Sequence, residues 1–384
     1  MNFELNEQQT QIKNAIREFC QKEFKPQEAL EFDQKEEYPM DLYKKAAQLG
    51  FTAMIFPEEY GGQGFGLLET CIAVEELCRG DSSFGVAISS GNFGSELVLA
   101  HGSKEQKEKY LPPICRGEYI SAAAFTEPNV SGSEITKMET TATKYGNEWW
   151  INGQKTFITN ATTADFFVVL TQTDPKVRPT HRGETLFIVE KGTPGLETNR
   201  LHNKMGIRAS PTGELSFSNV KVTDSSIVGE INKGFYYSME FFDKTRVGVA
   251  AQAVGMAQGA WEIAFKYAKQ REAFGAPILQ HEAIGVTLAE MATKIEAARL
   301  LTYKAAALVD SGKLDAMATA MAKYYASYVA MEVTNFAIQT LGGYGYFGEY
   351  RVERYHRDAK ITEIYEGTSE IQKLQVLKYL LSKY

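Results

Sequence analysis

Apolar positions along the first hundred residues recur at helical spacing. Ile12, Ile16, Phe19 and Phe24 keep one apolar face as far as Lys25-Pro26, and Asn6 with Gln9 has the spacing of a capping box, so a helix is predicted here. Pro39 opens a second helix that carries Leu42, Ala46 and Leu49 to a stop at Gly50. Leu67 to Cys78 and Ser89 to Ala100 are predicted as further helices, followed by a Lys104 to Tyr110 turn that ends at Pro112-Pro113. From about Ser121 the period changes to that of strands. Glu148 to Ile158 has Asn152-Gly153 at its centre between aromatic and β-branched residues, the composition of a hairpin. Phe166 to Thr171 and Thr185 to Glu190 are apolar runs of strand length, Thr193-Pro194-Gly195 is a turn, and Leu215, Phe217, Val220 and Val222 predict a last strand pair around Asn219. The helical period then returns. Asp243 to Gln270, Ala283 to Asp310 and Asp315 to Leu341 are each long enough for an antiparallel bundle, and the small residues between Ala250 and Gly259 let helices approach closely.

The pattern predicts an α+β chain, mostly helical, in three parts: an N-terminal helical domain over 1–120, a middle β-domain over 121–232 and a C-terminal four-helix bundle over 233–384. A chain of 384 residues can bury a core of that size. Its 44% hydrophobic content contains no unbroken apolar run of membrane-spanning length, so a soluble protein without membrane insertion is expected. A net charge of −7 with no compensating basic tract argues against a nucleic-acid surface. Met1 to Leu5 leads straight into helical sequence with acids present, unlike a secretory signal or an Arg-rich transit peptide. Cys20, Cys71, Cys78 and Cys115 have no metal-ligand spacing and read as buried reduced thiols, so no metal site and a reducing, cytoplasmic compartment are expected.

Candidate chemistry concentrates in the stretch Arg357 to Gln372. Glu366 stands at the last point before a helix that Ile371, Leu374, Val376 and Leu377 propose, with Gly367 free to turn sharply and Thr368 or Ser369 able to cap. A carboxylate among Ile361, Ile364 and Tyr365 is poorly solvated and therefore a stronger base than a surface glutamate. It also reads as a first-turn acid that favours the helix dipole. The polar loop Ala123 to Glu134 offers amides and hydroxyls around a Gly-Ser turn that suit the edge of a flavin. The glycine cluster Tyr60 to Gly66 lacks the order of a dinucleotide loop and reads as a tight connection before the Leu67 helix.

The Tyr365-Glu366-Gly367-Thr368 step and its flanks closely resemble the signature ending of the acyl-CoA dehydrogenases, and matching features run from the N-terminal helix to the C-terminus. The resemblance implies that Glu366 is the catalytic base and that the cofactor is FAD. Thr126-Glu127-Pro128 to Ser133 is similar to the family's flavin-binding segment, which implies that Phe125, Thr126, Gly132 and Ser133 contact the isoalloxazine. Here three residues separate Pro128 from Gly132 instead of two, and Glu134 replaces the usual aspartate. Phe157-Ile158-Thr159 resembles a Trp-Ile-Thr segment, implying a ring over one flavin face and a Thr159 hydrogen bond near N5. Arg271 and Phe274 are implied to reach the FAD of a neighbouring subunit, although Glu282 stands where glutamine is usual. Gln339, Gly342 and Gly343 belong to a second such segment, and Thr368 is likewise assigned to the cofactor. Ser133, Phe242, Asp243, Arg246, Tyr365 and Gly367 are assigned to the substrate. Read from sequence alone, Asp243 is equally an N-cap, and Arg246 equally a solvated ion-pair partner in a helix first turn.

The resemblance further implies a homotetramer, a dimer of dimers, that converts an acyl-CoA thioester to a 2-enoyl-CoA and passes electrons to an electron-transfer flavoprotein. The thioester carbonyl would be polarised by the Glu366 backbone N–H and an FAD ribityl hydroxyl. An oxygen-using acyl-CoA or nitroalkane oxidase, or a non-enzymatic nucleic-acid-associated flavoprotein of the same fold, are the alternatives. Ser89 to Glu96 is expected to form the inner end of the acyl pocket. Its small residues Ser89, Ser90, Gly91 and Gly94 beside Phe93 suggest a compact, branched or alicyclic acyl group, such as arises in anaerobic ring degradation.

Overall fold

The capping box read from Asn6 and Gln9 is formed: the Asn6 side chain accepts from Gln9 N at 2.8 Å, and the Gln9 side chain accepts from Asn6 N at 3.0 Å. The computed structural model describes residues 4–384; Met1, Asn2 and Phe3, read above as leading into helix, lie outside the described residues. Helix α1 (Glu7–Glu23) is followed by α2 (Pro26–Lys35), which the sequence reading missed because Pro26 looked like an end. It is instead the first residue of a new helix, where its missing N–H costs nothing. Next come α3 (Met40–Gln48) and α4 (Leu67–Gly80). The helix predicted over Ser89 to Ala100 is two helices, α5 (Ser82–Ser89) and α6 (Ser95–His101), parted where Gly94 takes φ +101°. The predicted Lys104 to Tyr110 turn is a helix, α7 (Lys104–Cys115), that runs through Pro112 and Pro113. A capping box between Ser103 and Gln106 starts it, and burial of Tyr110, Leu111 and Ile114 holds it past the prolines.

The middle of the chain forms one eight-stranded sheet: β1 (Ser121–Ala124), β2 (Thr141–Tyr145), β3 (Glu148–Thr159), β4 (Phe166–Gln172), β5 (Glu184–Glu190), β6 (Leu196–Leu201), β7 (Thr212–Thr223) and β8 (Ile227–Val228). Their order is β6-β7-β3-β2-β4-β5-β8, with β1 parallel to β4. Two expectations fail here for one reason. Asn152-Gly153 is not a hairpin turn, and Asn219 does not divide a strand pair; both sit in a bulge where the β3–β7 register shifts between Ile151 and Gly153. Asn219 has φ +53° and donates its N–H to Asn152 Oδ1 at 2.8 Å, while a side chain at Gly153 would meet Thr140 Oγ1 at 2.5 Å. The actual hairpin turn lies at Gly146, between paired Tyr145 and Glu148.

The last third contains α8 (Gly234–Gln270), a small ribbon of β9 (Glu272–Ala273) and β10 (Ala276–Pro277), then α9 (Glu282–Asp310), α10 (Ala316–Leu341), α11 (Val352–Ala359) and α12 (Ser369–Lys383). The small-residue stripe acts as expected: a methyl group at Gly255 would lie 2.3 Å from the Glu75 carbonyl oxygen, and one at Gly259 would lie 2.5 Å from that of Arg79. Helix α4 is thereby pressed onto α8. Asp310, the last residue of α9, accepts from Leu67 N at 2.7 Å and Leu68 N at 3.0 Å, capping α4 from outside. One core joins α4, α8, α9, α10 and α11, and a second joins α6, α7 and the start of α8 to one face of the sheet. A cavity opens where these cores meet. The four cysteines are buried and free. Among the described residues no helix is long and apolar enough to cross a membrane.

Candidate functional site

Glu366 leaves the short turn after α11 with φ +55°, and Gly367 follows with φ +90°. A non-glycine residue stays in the left-handed region only if its surroundings hold it there. Three side chains do so. Gln372 Nε2 donates to Glu366 O at 3.0 Å, Lys323 Nζ donates to Gly367 O at 2.6 Å, and Thr368 caps α12 by accepting from Ile371 N at 3.3 Å. The carboxylate turns into a cavity of about 180 Å³ walled by α4, α5, α6 and α8, with Tyr365, Thr159 and Ile207 closing it.

The apolar surroundings expected for Glu366 exist, with Tyr365 among them as expected but without Ile361 and Ile364. Ile364 is half exposed and Ile361 packs into the bundle core; Leu67, Val74, Val86, Phe93 and Val249 supply the apolar wall instead. Burial raises the Glu366 pKa to about 7, opposed by a hydrogen bond from Thr245 and by the charges of Arg246 and Lys323. Thr245 Oγ1 lies 2.7 Å from Glu366 Oε2 and 3.1 Å from the Phe241 carbonyl. A hydroxyl has one proton, so Thr245 donates to the ionised carboxylate and turns to Phe241 when Glu366 carries the proton and donates instead. Thr245 can therefore accommodate both states of the acid. Sequence reasoning passed over it, and its only signal was a place beside Arg246.

A second acid faces the same space. Glu96 on α6 accepts from Gly94 N at 2.9 Å, and burial together with the nearby Glu366 charge pushes its pKa up to about 7. The Tyr365 hydroxyl donates to Gln252 Oε1, and Gln252 Nε2 reaches Ser89 Oγ at 3.3 Å, so a polar chain crosses the inner wall.

Asp243 and Arg246 differ from the sequence reading. Helix α8 begins at Gly234, so Asp243 is no N-cap and Arg246 is not in a first turn. They pair with each other at 2.9 Å, and buried Arg246 also donates to Gln375 Oε1 at 2.8 Å. Phe242 packs on Phe125 with ring centroids 4.8 Å apart, which places the Phe125 ring in the core.

The loop assigned to the flavin is anchored from below. Lys155 Nζ meets Glu127 Oε1 at 2.8 Å and Phe125 O at 3.0 Å with no exposed surface, and Thr156 N donates to Thr126 O at 2.9 Å. Gly132 and Ser133 stand exposed at the loop tip, where Ser133 N donates to Ser131 Oγ at 3.3 Å. Phe157 is not an inward strand residue: its ring is 69% exposed on a backbone with φ +58°, next to Thr159, which lines the Glu366 cavity. Arg271, Phe274, Gln339, Gly342 and Gly343 lie on another surface and do not line that cavity. Arg271 stacks over Tyr344 at 5.9 Å, and Phe274 is 99% exposed with φ +50°. No atom lies within 4 Å of where a side chain at Gly342 or Gly343 would begin, so close protein packing is not what glycine serves there. Exposed rings on strained backbone and open glycines are features that fit a flat cofactor and its phosphates.

Comparison with known proteins covers the whole chain. Three family models match in order: acyl-CoA dehydrogenase N-terminal domain over residues 6–118, middle domain over 122–220 and C-terminal domain over 232–381. A protein of Clostridium acetobutylicum named short-chain specific acyl-CoA dehydrogenase is 43% identical, with 98% of each chain covered. A 3-(aryl)acrylate reductase of Clostridium sporogenes is 42% identical, covering 98% of this chain and 99% of its own. The solved structure of butyryl-CoA dehydrogenase from Megasphaera elsdenii superposes with a TM-score of 0.95 at 41% identity, covering 99% of this chain and 100% of that one.

Proposed function

The chain belongs to the acyl-CoA dehydrogenase family, and from that premise we propose that it removes two hydrogens across the Cα–Cβ bond of a compact acyl-CoA thioester, with Glu366 as the base. The observation that carries this reading is the Glu366 carboxylate, turned into a small, mostly apolar cavity with its pKa near 7 and a single hydroxyl, Thr245, to follow its protonation. An acid so placed takes an α-proton near neutrality and is shielded from competing water. Arg246 and Lys323 limit how far burial raises it, so that the base remains ionised at working pH.

FAD is the cofactor of the family, and when bound it supplies the acceptor for the hydride that leaves the β-carbon. Thr126, Gly132, Ser133, Phe157, Thr159 and Thr368 would hold its flavin half. Arg271, Phe274, Gln339, Gly342 and Gly343 would hold the dinucleotide half, reached across a subunit boundary in a homotetramer. Ser133, Phe242, Asp243, Arg246, Tyr365 and Gly367 would line the path of the thioester, and the Glu366 N–H would polarise its carbonyl. In this reading 1–120 and 233–384 enclose the acyl chain, and 121–232 supports the flavin. The proposed electron acceptor is an electron-transfer flavoprotein, and the proposed acyl group is short or compact, branched and alicyclic forms included. Support comes from the small cavity narrowed by Phe93 and from relatives named for short-chain and aryl substrates.

The test is to mix FAD-loaded protein with straight, branched and cyclic acyl-CoA esters and an artificial acceptor, and to follow enoyl-CoA by mass. Turnover of compact esters is expected, with reduced flavin persisting in air until the acceptor is added. Preference for a long straight chain would remove the substrate reading, and rapid reoxidation by oxygen alone would make the protein an oxidase.

A further inference from the structure

Lys323 lies on α10 with no exposed surface, in an alanine-rich stretch of that helix. A buried ammonium is unfavourable unless it is well partnered, and this one faces a carbonyl, Gly367 O at 2.6 Å. Gln372 Nε2 reaches the same carbonyl at 3.3 Å, so a neutral donor is already present. What the lysine adds is charge. We propose that Lys323 is a positioning residue for the base: it grips the carbonyl of Gly367, the residue that follows Glu366, and so fixes a positive charge beside this turn that favours the ionised carboxylate.

The inference rests on the reading of Glu366 as the base. One turn further along α10, the Ser327 hydroxyl lies 2.8 Å from both Thr362 O and its own helix carbonyl Lys323 O and shares its one proton between them, so the helix meets the 362–367 segment at a neutral and a charged point. The groups that bear on Glu366 are Thr245 and Arg246 from α8, Lys323 from α10 and Glu96 from α6. Lys323 in turn feels Glu366, Arg246, Glu363 and Glu370, and burial pulls its own pKa down to about 8. It carries most of its charge at the Glu366 midpoint near 7 and loses it above, so its influence is greatest on the acid side of the Glu366 titration. Removing the charge raises the Glu366 pKa, so the ionised fraction and the rate fall at acid pH and recover at alkaline pH.

The experiment compares FAD-loaded wild type, Lys323→Met, Lys323→Arg and Ser327→Ala by the pH dependence of anaerobic flavin reduction at saturating substrate, with FAD content measured in parallel. For Lys323→Met the acid midpoint is expected to rise by about one unit, a rate loss of about tenfold at about pH 6 that closes at about pH 9. Lys323→Arg should keep the wild-type midpoint, and Ser327→Ala should lose thermal stability without moving it. A midpoint unchanged in Lys323→Met overturns the proposal. Should Lys323→Met lose FAD, infrared titration of the Glu366 carboxyl band in the substrate-free protein, identified by its absence in Glu366→Gln, gives the same comparison with the same two outcomes. Failure of the base assignment looks different, because Glu366→Gln would then reduce flavin at the wild-type rate.

Discussion

Two regions of this molecule share a backbone peculiarity and differ in everything around it. Glu366, Phe157 and Phe274 all occupy the left-handed region, with φ of +55°, +58° and +50°. Around Glu366 the strain is held within one chain by Gln372, Lys323 and Thr368, and the carboxylate is met by Thr245. Around the two phenylalanines the chain leaves the rings largely open, 69% and 99% exposed, with His281 edge-on to Phe274 at 6.0 Å. A site whose strained turn and carboxylate are held from within the chain is ready to bind and to move a proton. A surface of strained, uncovered rings and open glycines is half of a site, and its proposed completion is FAD and a neighbouring subunit.

The contrast predicts opposite mutant phenotypes. The largest effect belongs to the inner region: Glu366→Gln should slow flavin reduction by about a thousandfold while FAD stays bound, read by anaerobic stopped-flow absorbance. On the outer surface Arg271→Ala should weaken FAD binding by about tenfold, measured by equilibrium titration, yet each loaded flavin should reduce at the wild-type rate. A slowed rate per flavin would erase the distinction between the regions. Thr245→Ala removes a hydrogen bond that favours the ionised base, so the Glu366 pKa rises and the rate drops by about fivefold below the midpoint near 7, converging with wild type at higher pH. The smallest change is expected from Glu96→Gln. Two carboxylates in one cavity titrate as a pair, and removing one should sharpen the pH–rate profile to a single proton step while altering the rate at neutral pH by about twofold or less.

What the sequence discloses about this site is what is local. The Glu366-Gly367-Thr368 step carries its turn, its cap and its resemblance within a few residues, and the structure forms the cap as read. Thr245 is 121 residues from Glu366 and Lys323 is 44 from Gly367, and neither has a local pattern that marks it: one is an interior helix threonine, the other a lysine in an alanine-rich helix. The N-cap reading of Asp243 and the first-turn reading of Arg246 fail because α8 starts at Gly234, with an aromatic run whose burial against the sheet side is a tertiary effect. The Asn152-Gly153 pair shows the same limit from the other side. Its composition is that of a turn, and only the facing Asn219 on β7 makes it a bulge in a continuous strand.

The central claim, that Glu366 is the group that takes the α-proton, is tested most directly with an ester that has α-hydrogens but no β-hydrogen, such as 3,3-dimethylbutyryl-CoA. In heavy water the FAD-loaded wild type should incorporate deuterium at the α-carbon, and Glu366→Gln with full FAD should incorporate none above the uncatalysed background. Exchange in Glu366→Gln at the wild-type rate would contradict the account.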